Sequence, residues 1–256
     1  MNDRTILSPF FLDQPAGDMR DLAMPDWRVL DVALPEGSPL ARMGRLYDAL
    51  AGEVAATLAA GERPVAFVGD CCAAIGVLAG LQRAGQQPAL VWLDAHGDFN
   101  TPDTSPSGFL GGMPLAMAVG LGDQTLLRAT GLRPWPADKV LLTDGRDLDP
   151  GERDNLAATA VAHVGDIEAL LQPDALPDGP LYVHFDVDII DPAEMPACHY
   201  PAPGGPSAQR VTELLRALAA TGRVVAVSVC VWDPALDPDG HAQAVVQAAL
   251  NALFGR

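Results

Sequence analysis

The chain has 256 residues, 49% of them hydrophobic, enough to bury one substantial core. Its net charge is −17 and Lys139 is its only lysine, a field that repels nucleic acid and anionic membranes and excludes both as expected partners. With no apolar run long enough to span a bilayer, no leader-like start, and four cysteines (Cys71, Cys72, Cys198, Cys230) too irregular for a disulfide framework, a cytoplasmic protein with free or metal-bound thiols is expected.

Short apolar runs alternate with helical patterns along the whole chain. "TILSPFFL" (5–12) predicts a strand, and 38–61 predicts a long helix with a Ser cap, an early Pro and a terminal Gly. Strands are predicted at 63–69, 88–94, 139–145, 180–188 and 223–231. Helices are predicted at 72–85, from "DPGER" (149–153) onward, and at 207–222 and 241–254. The strands lack polar alternation, so both of their faces are expected to be buried. Alternating with helices, they predict an α/β fold with a central parallel sheet between helix layers. No linker, repeat or low-complexity run divides the chain, so 1–256 is read as one domain.

In such a sheet, sites form at the C-terminal ends of strands, and three predicted ends here are unusual. "VGDCC" closes the first, "LDAHGDFN" (93–100) the second and "HFDVDIIDP" (184–192) the third. Residues two apart on a strand share a face, so Asp94, His96 and Asp98 are expected to converge, as are Asp186 and Asp188. Carboxylates packed this way repel one another and resist ionising. Divalent cations remove that penalty, and mixed carboxylate and imidazole donors suit Mn²⁺ or a similar first-row ion. Five ligands from two motifs, with one more from the turn at 69–72, are enough for two metals sharing carboxylates. Asp191, before Pro192, is read as turn structure, and Cys72 as packing.

The segments "VGDC", "DAHGDFNTPDTSPSG", "GRDLDPGER" (145–153), "HFDVDIIDPAEMPACHYPAPGG" (184–205) and "VWDP" (231–234) together resemble the ureohydrolase superfamily of arginases, agmatinases and formiminoglutamases. The resemblance implies a three-layer α/β/α fold, a binuclear manganese site and hydrolysis of a linear C–N bond. It implies that Asp94 and Asp186 bridge the two ions, that Asp98 completes one shell, and that His96 and Asp188 complete the other. Asp98 would also carry a proton from the activated water to the departing nitrogen.

Three positions depart from the family. Cys71 stands where a ligand His is usual and is expected to bind metal, shifting preference towards Zn²⁺ or Fe²⁺. Gly111 replaces a His that moves protons in arginases, and His199 is an unfavoured substitute. Val231 replaces the Glu that binds the guanidinium, and Asp233 or Trp232 are weak replacements. By the resemblance, Asn100, Ser105 and Ser107 hold an α-carboxylate and Asp149 lies near an α-amino group. The expected substrate is a guanidino amino acid or analogue, arginine or Nω-hydroxyarginine in type, giving urea or hydroxyurea plus ornithine. The alternative is a catalytically silent binding or regulatory protein on the same fold. The family also suggests a homo-oligomer.

Overall fold

In chain order the computed structural model, which describes residues 2–172, 174–230 and 232–255, begins with β1 (Asp3–Ser8). A small antiparallel pair, β2 (Phe10–Phe11) and β3 (Gln14–Pro15), follows, then α1 (Gly17–Arg20), β4 (Arg28–Val29) and α2 (Pro39–Ala59). Next come β5 (Arg63–Val68), α3 (Ala74–Arg83), β6 (Ala89–His96), α4 (Pro114–Ala118) and α5 (Thr125–Thr130). The rest is β7 (Val140–Asp147), α6 (Pro150–Ala157), β8 (Ala162–Val164), β9 (Leu181–Asp186), α7 (Ala208–Ala220), β10 (Val224–Cys230) and α8 (His241–Phe254).

Eight of the strands form one sheet in the order β4-β1-β5-β10-β9-β6-β7-β8, and every neighbouring pair is parallel. The expected three-layer α/β/α arrangement is present. Alternation along the strands sorts the core into two layers. Leu90, Trp92, Tyr182 and Ala226 pack on the side of α2, α3, α4 and α5. Val91, Leu93, Val183, Phe185 and Val227 pack on the side of α7 and α8. In phase with Trp92 and Tyr182, the residues Asp94, His184, Asp186, Ser228 and Cys230 fall on the α2–α3 side.

The long helix α2 begins where its sequence stops competing with the backbone: the Ser38 hydroxyl accepts from Ala41 N and Pro39 fills the first turn. It lies so close to α3 that a Cβ added at Gly80 would sit 2.5 Å from Val54 Cβ. Gly80→Ala is therefore expected to destabilise the fold by about 1–3 kcal/mol through overpacking. A denaturant midpoint unchanged from wild type would contradict that contact.

Two sequence expectations need correction at the strand ends. β9 stops at Asp186, and Asp188 lies in a 3₁₀ turn, Val187–Ile189, capped by the Asp186 side chain, which accepts from Asp188 N at 3.0 Å. β6 stops at His96, and Asp98 lies beyond it with φ +50°, in the left-handed region. Both aspartates reach the site through turns rather than strand alternation. Just before those turns, the carboxylates of Asp94 and Asp186 accept the amides two residues on, of His96 and Asp188.

Candidate metal centre and substrate pocket

The strands β5, β10, β9 and β6 are adjacent in the sheet, so their C-terminal ends bring distant sequence segments together. The turn after β5 supplies Cys71, β9 ends in Asp186, and β6 ends in Asp94 and His96. Cys71 Sγ lies 2.8 Å from Asp186 Oδ2 and 3.8 Å from Asp94 Oδ2. His96 Nδ1 lies 2.9 Å from Asp188 Oδ2 and 3.4 Å from Asp94 Oδ1. Donor atoms of Cys71, Asp94 and Asp98 all fall within 4.8 Å of one another, and so do those of Asp94, His96 and Asp188. Asp94 belongs to both groups.

Side chains and amides hold these carboxylates in place. Trp92 Nε1 donates to Asp94 Oδ2 at 2.9 Å, and His96 N donates to Asp94 Oδ1 at 2.7 Å. The Asp188 turn is tied down by Arg146, whose guanidinium pairs with Asp144 and donates to the carbonyls of Asp188 at 3.1 Å and Ile189 at 3.0 Å. The Asp98 carbonyl accepts from Leu115 N and Ala116 N at the start of α4, which holds its unfavourable φ. Its Oδ2 is buried and has no hydrogen-bond partner among the described residues.

Charge makes the cluster costly as it stands. Burial, then the charge of Asp188, pushes Asp94 up to about 6. Burial and neighbouring carboxylates push Asp98 and Asp186 well above the usual carboxylate range. Burial alone would lower His96, but its bonds to Asp188 and Asp94 outweigh that and push it up to about 12. One imidazolium cannot neutralise four clustered carboxylates. The donor set and the unpartnered Asp98 oxygen fit two divalent cations.

A pH dependence follows for the metal-free protein. Asp94, Asp98 and Asp186 keep protons in the folded state that the unfolded chain releases near pH 4. Stability therefore falls as pH rises from there to about 6 for Asp94, and further for the other two. His96 acts in the same direction, from its unfolded value of about 6.5 up to about 12. Bound cations replace those protons, so the melting-temperature difference between loaded and metal-free protein is expected to widen with pH. Thermal melts at stepped pH test this, and a difference that shrinks contradicts it.

Above the carboxylates lies a cavity of about 190 Å³ whose lining includes Cys71, His96, Asp98, Asp186 and Asp188, room for one small molecule. Asn100, Ser105, Ser107 and Asp149 line the same cavity. Asn100 Nδ2 donates to Asp149 Oδ2 at 2.9 Å. Ser105 Oγ and Ser107 Oγ accept from the amides of Gly108 and Phe109, and neither hydroxyl donates to another group among the described residues.

Sequence reasoning missed two lining residues that shape this pocket. Glu152 accepts from Phe99 N and Asp149 N, both at 2.9 Å, and so fastens α6 to the loop after β6. The capping box in "DPGE" was its signal. Phe109 carried no signal. Its ring occupies the space beside Gly111, where an added Cβ would lie 2.3 Å from Phe109 Cε1.

The other expectations fall as follows. Cys72 turns away from the carboxylates, and its Sγ donates to Leu110 O at 3.3 Å. Asp191 caps its own turn through Ala193 N. His199 pairs with Asp233 at 2.7 Å and, with Trp232, lines a neighbouring cavity rather than the one above the carboxylates. Val231 lies outside the described residues.

Among known proteins, the arginase family profile matches residues 9–255. An N(omega)-hydroxy-L-arginine amidinohydrolase from Streptomyces lavendulae is 30% identical over 248 residues, 96% of this chain and 83% of that protein. An arginase from Brevibacillus brevis is 32% identical over 220 residues, 80% and 73% of the two chains. The crystal structure of arginase from Bacillus cereus superposes with a TM-score of 0.88 at 25% identity, covering 100% of this chain and 99% of that one.

Proposed function

Because this chain belongs to the arginase family of ureohydrolases, enzymes that act on C–N bonds, we propose that it is a binuclear metallohydrolase of a guanidino amino acid, with Nω-hydroxy-L-arginine its best substrate. The observation that carries this reading is the convergence of Cys71, Asp94, His96, Asp98, Asp186 and Asp188 beneath a pocket walled by Asn100, Ser105, Ser107 and Asp149.

Cys71, Asp94, Asp98 and Asp186 would hold one ion, and Asp94, His96, Asp186 and Asp188 the other. Mn²⁺ suits the carboxylates, with Zn²⁺ or Fe²⁺ as alternatives because of Cys71. When bound, two divalent cations make water ionise near neutral pH and hold the negative charge that develops in hydrolysis.

The chain's own groups do the rest. Asp98 Oδ2, unpartnered and buried, accepts the proton and returns it to the departing nitrogen. The free hydroxyl protons of Ser105 and Ser107 meet an α-carboxylate, while Asp149, oriented by Asn100, meets an α-ammonium. Phe109 and Gly111 offer no acid or base to the leaving group. That absence matters less for a hydroxyguanidine, whose leaving nitrogen is less basic than that of arginine. The Streptomyces lavendulae relative, named for its action on N(omega)-hydroxy-L-arginine, supports the same choice.

A cytoplasmic setting accompanies this reading, since all four cysteines are free and buried. Among the described residues no helix is long and apolar enough to cross a membrane. Association into a homo-oligomer belongs to the same reading.

A substrate panel on the Mn²⁺-loaded protein tests it. Nω-hydroxy-L-arginine is expected to give the highest kcat/KM and L-arginine less. Agmatine, which lacks the carboxylate that Ser105 and Ser107 would bind, should lose about 10-fold or more beyond that. No product from any guanidino or formimino compound would overturn the enzyme reading in favour of a silent binding protein.

A further inference from the structure

Below the carboxylates, on the α2–α3 side of the sheet, two buried donors take no part in the proposed hydrolysis. His184 lies within β9 and is fully buried, and Cys230 ends the neighbouring β10. Cys230 Sγ is 3.2 Å from Cys71 Sγ, 3.5 Å from His184 Nε2 and 3.3 Å from Asp186 Oδ2. Donor atoms of Cys71, His184 and Cys230 all lie within 4.8 Å of one another.

The imidazole is held in one orientation. Its Nδ1 is 2.8 Å from Ser228 Oγ, which is itself 2.7 Å from the Tyr182 hydroxyl, and its ring stacks on Trp92 with centroids 3.7 Å apart. Nε2 is thereby directed at the thiols. An imidazole fixed through one nitrogen, with the other facing two sulfurs, has the form of a metal ligand with its orienting partner. A core strand needing only packing would carry aliphatic residues here at lower desolvation cost.

We propose that Cys71, His184 and Cys230 form a seat for a thiophilic divalent cation of the Zn²⁺ class, with Asp186 Oδ2 as the fourth donor. The proposal rests on reading the strand ends as a metal centre, and not on the choice of substrate. Two thiolates and an imidazole select softer cations, whereas Asp94, His96 and Asp188 suit harder ones. Cys71 serves one cation at a time. A hard ion with Cys71 takes the Asp94 and Asp98 side, and a soft ion takes the His184 and Cys230 side. Loading the soft seat releases the two thiol protons to solvent, with no change in oxidation state.

Co²⁺ titrated into the full-length metal-free protein tests this through its sulfur-to-cobalt charge-transfer absorbance. A strong band is expected, bleached by Zn²⁺ but not by an equal amount of Mn²⁺. Cys230→Ser should lose about half of the band, and the double variant with Cys71→Ser all of it. Ser228→Ala removes no ligand, so it should keep the band at saturation while weakening Co²⁺ affinity roughly 10–100-fold. Far-UV circular dichroism identifies any variant that fails to fold, and the wild-type band and its Zn²⁺ bleaching test the proposal without a variant.

A full band in folded Cys230→Ser would overturn the proposal, because Cys71 would then be the only thiolate ligand. No band in wild type would also overturn it, as would a mass lower by two hydrogens that marks a Cys71–Cys230 disulfide. Turnover measured on the same samples keeps the two readings apart. A band without turnover of any substrate leaves the seat standing and sinks the hydrolase reading, and turnover without a band does the reverse.

Discussion

Asp98→Asn is expected to lower kcat/KM on the order of 10²–10⁴-fold while making the metal-free protein more stable. Both effects come from one carboxylate. Asp98 Oδ2 is buried without a hydrogen-bond partner among the described residues, and burial and its neighbours penalise its charge. An amide of the same shape carries no charge, which removes the cost of holding Asp98 protonated in the fold, or of charging it beside Asp94, Asp186 and Asp188 at higher pH. The same amide cannot accept a proton at neutral pH, and it is a poorer metal ligand. Steady-state kinetics with saturating Mn²⁺, and thermal melts with chelator present, read the two effects separately. A variant that stays within a few-fold of wild-type activity would remove Asp98 from the mechanism. A metal-free variant less stable than wild type would mean that the carboxylate is paired in a way the structure does not contain.

Removing the metals is expected to have an effect at least as large. Cations hold charge developing on the reacting group by several kcal/mol, and about 1.36 kcal/mol corresponds to tenfold in rate. The chelated protein should therefore lose on the order of a thousandfold or more in kcat, restored by added Mn²⁺. The melting temperature should fall with it, because the four carboxylates are then left to one another and His96. Dialysis against a chelator followed by stepwise Mn²⁺ addition measures both quantities in one sample. Undiminished turnover after complete metal removal would contradict the assignment of these carboxylates as ligands.

The sequence was most legible where a residue's chemistry conflicted with its place in a strand. The apolar runs of β6, β9 and β10 pointed to a buried parallel sheet, and acids at the ends of β6 and β9 stood out against them. The short edge strands β4 and β8 went unseen, as did α4 and α5, because two to six residues carry too little periodicity to register. The turns that bring Asp98 and Asp188 inward were hidden for another reason. The φ of +50° at Asp98 is held by backbone amides of Leu115 and Ala116 donating to its carbonyl, and the 3₁₀ turn after Asp186 by its carboxylate accepting from Asp188 N, neither of which spacing rules for strands describe.

Cys230 and His184 looked like ordinary strand residues in the sequence. Only the parallel pairing of β10 beside β9 sets Cys230 against His184 and near the Cys71 that follows β5. Phe109 likewise reads as a loop aromatic until the fold lays its ring beside Gly111. Such contacts depend on register across the sheet, which a single sequence does not carry.

The most direct test of the central claim, that these strand ends hold two cations, is metal content per chain. It is measured by plasma mass spectrometry after purification without chelator, reconstitution with Mn²⁺ and removal of free ions. The account predicts close to two ions per chain, whichever side of Cys71 its cation occupies. A value near one would leave one of the two donor groups without a function, and a value near zero would contradict the metal centre itself.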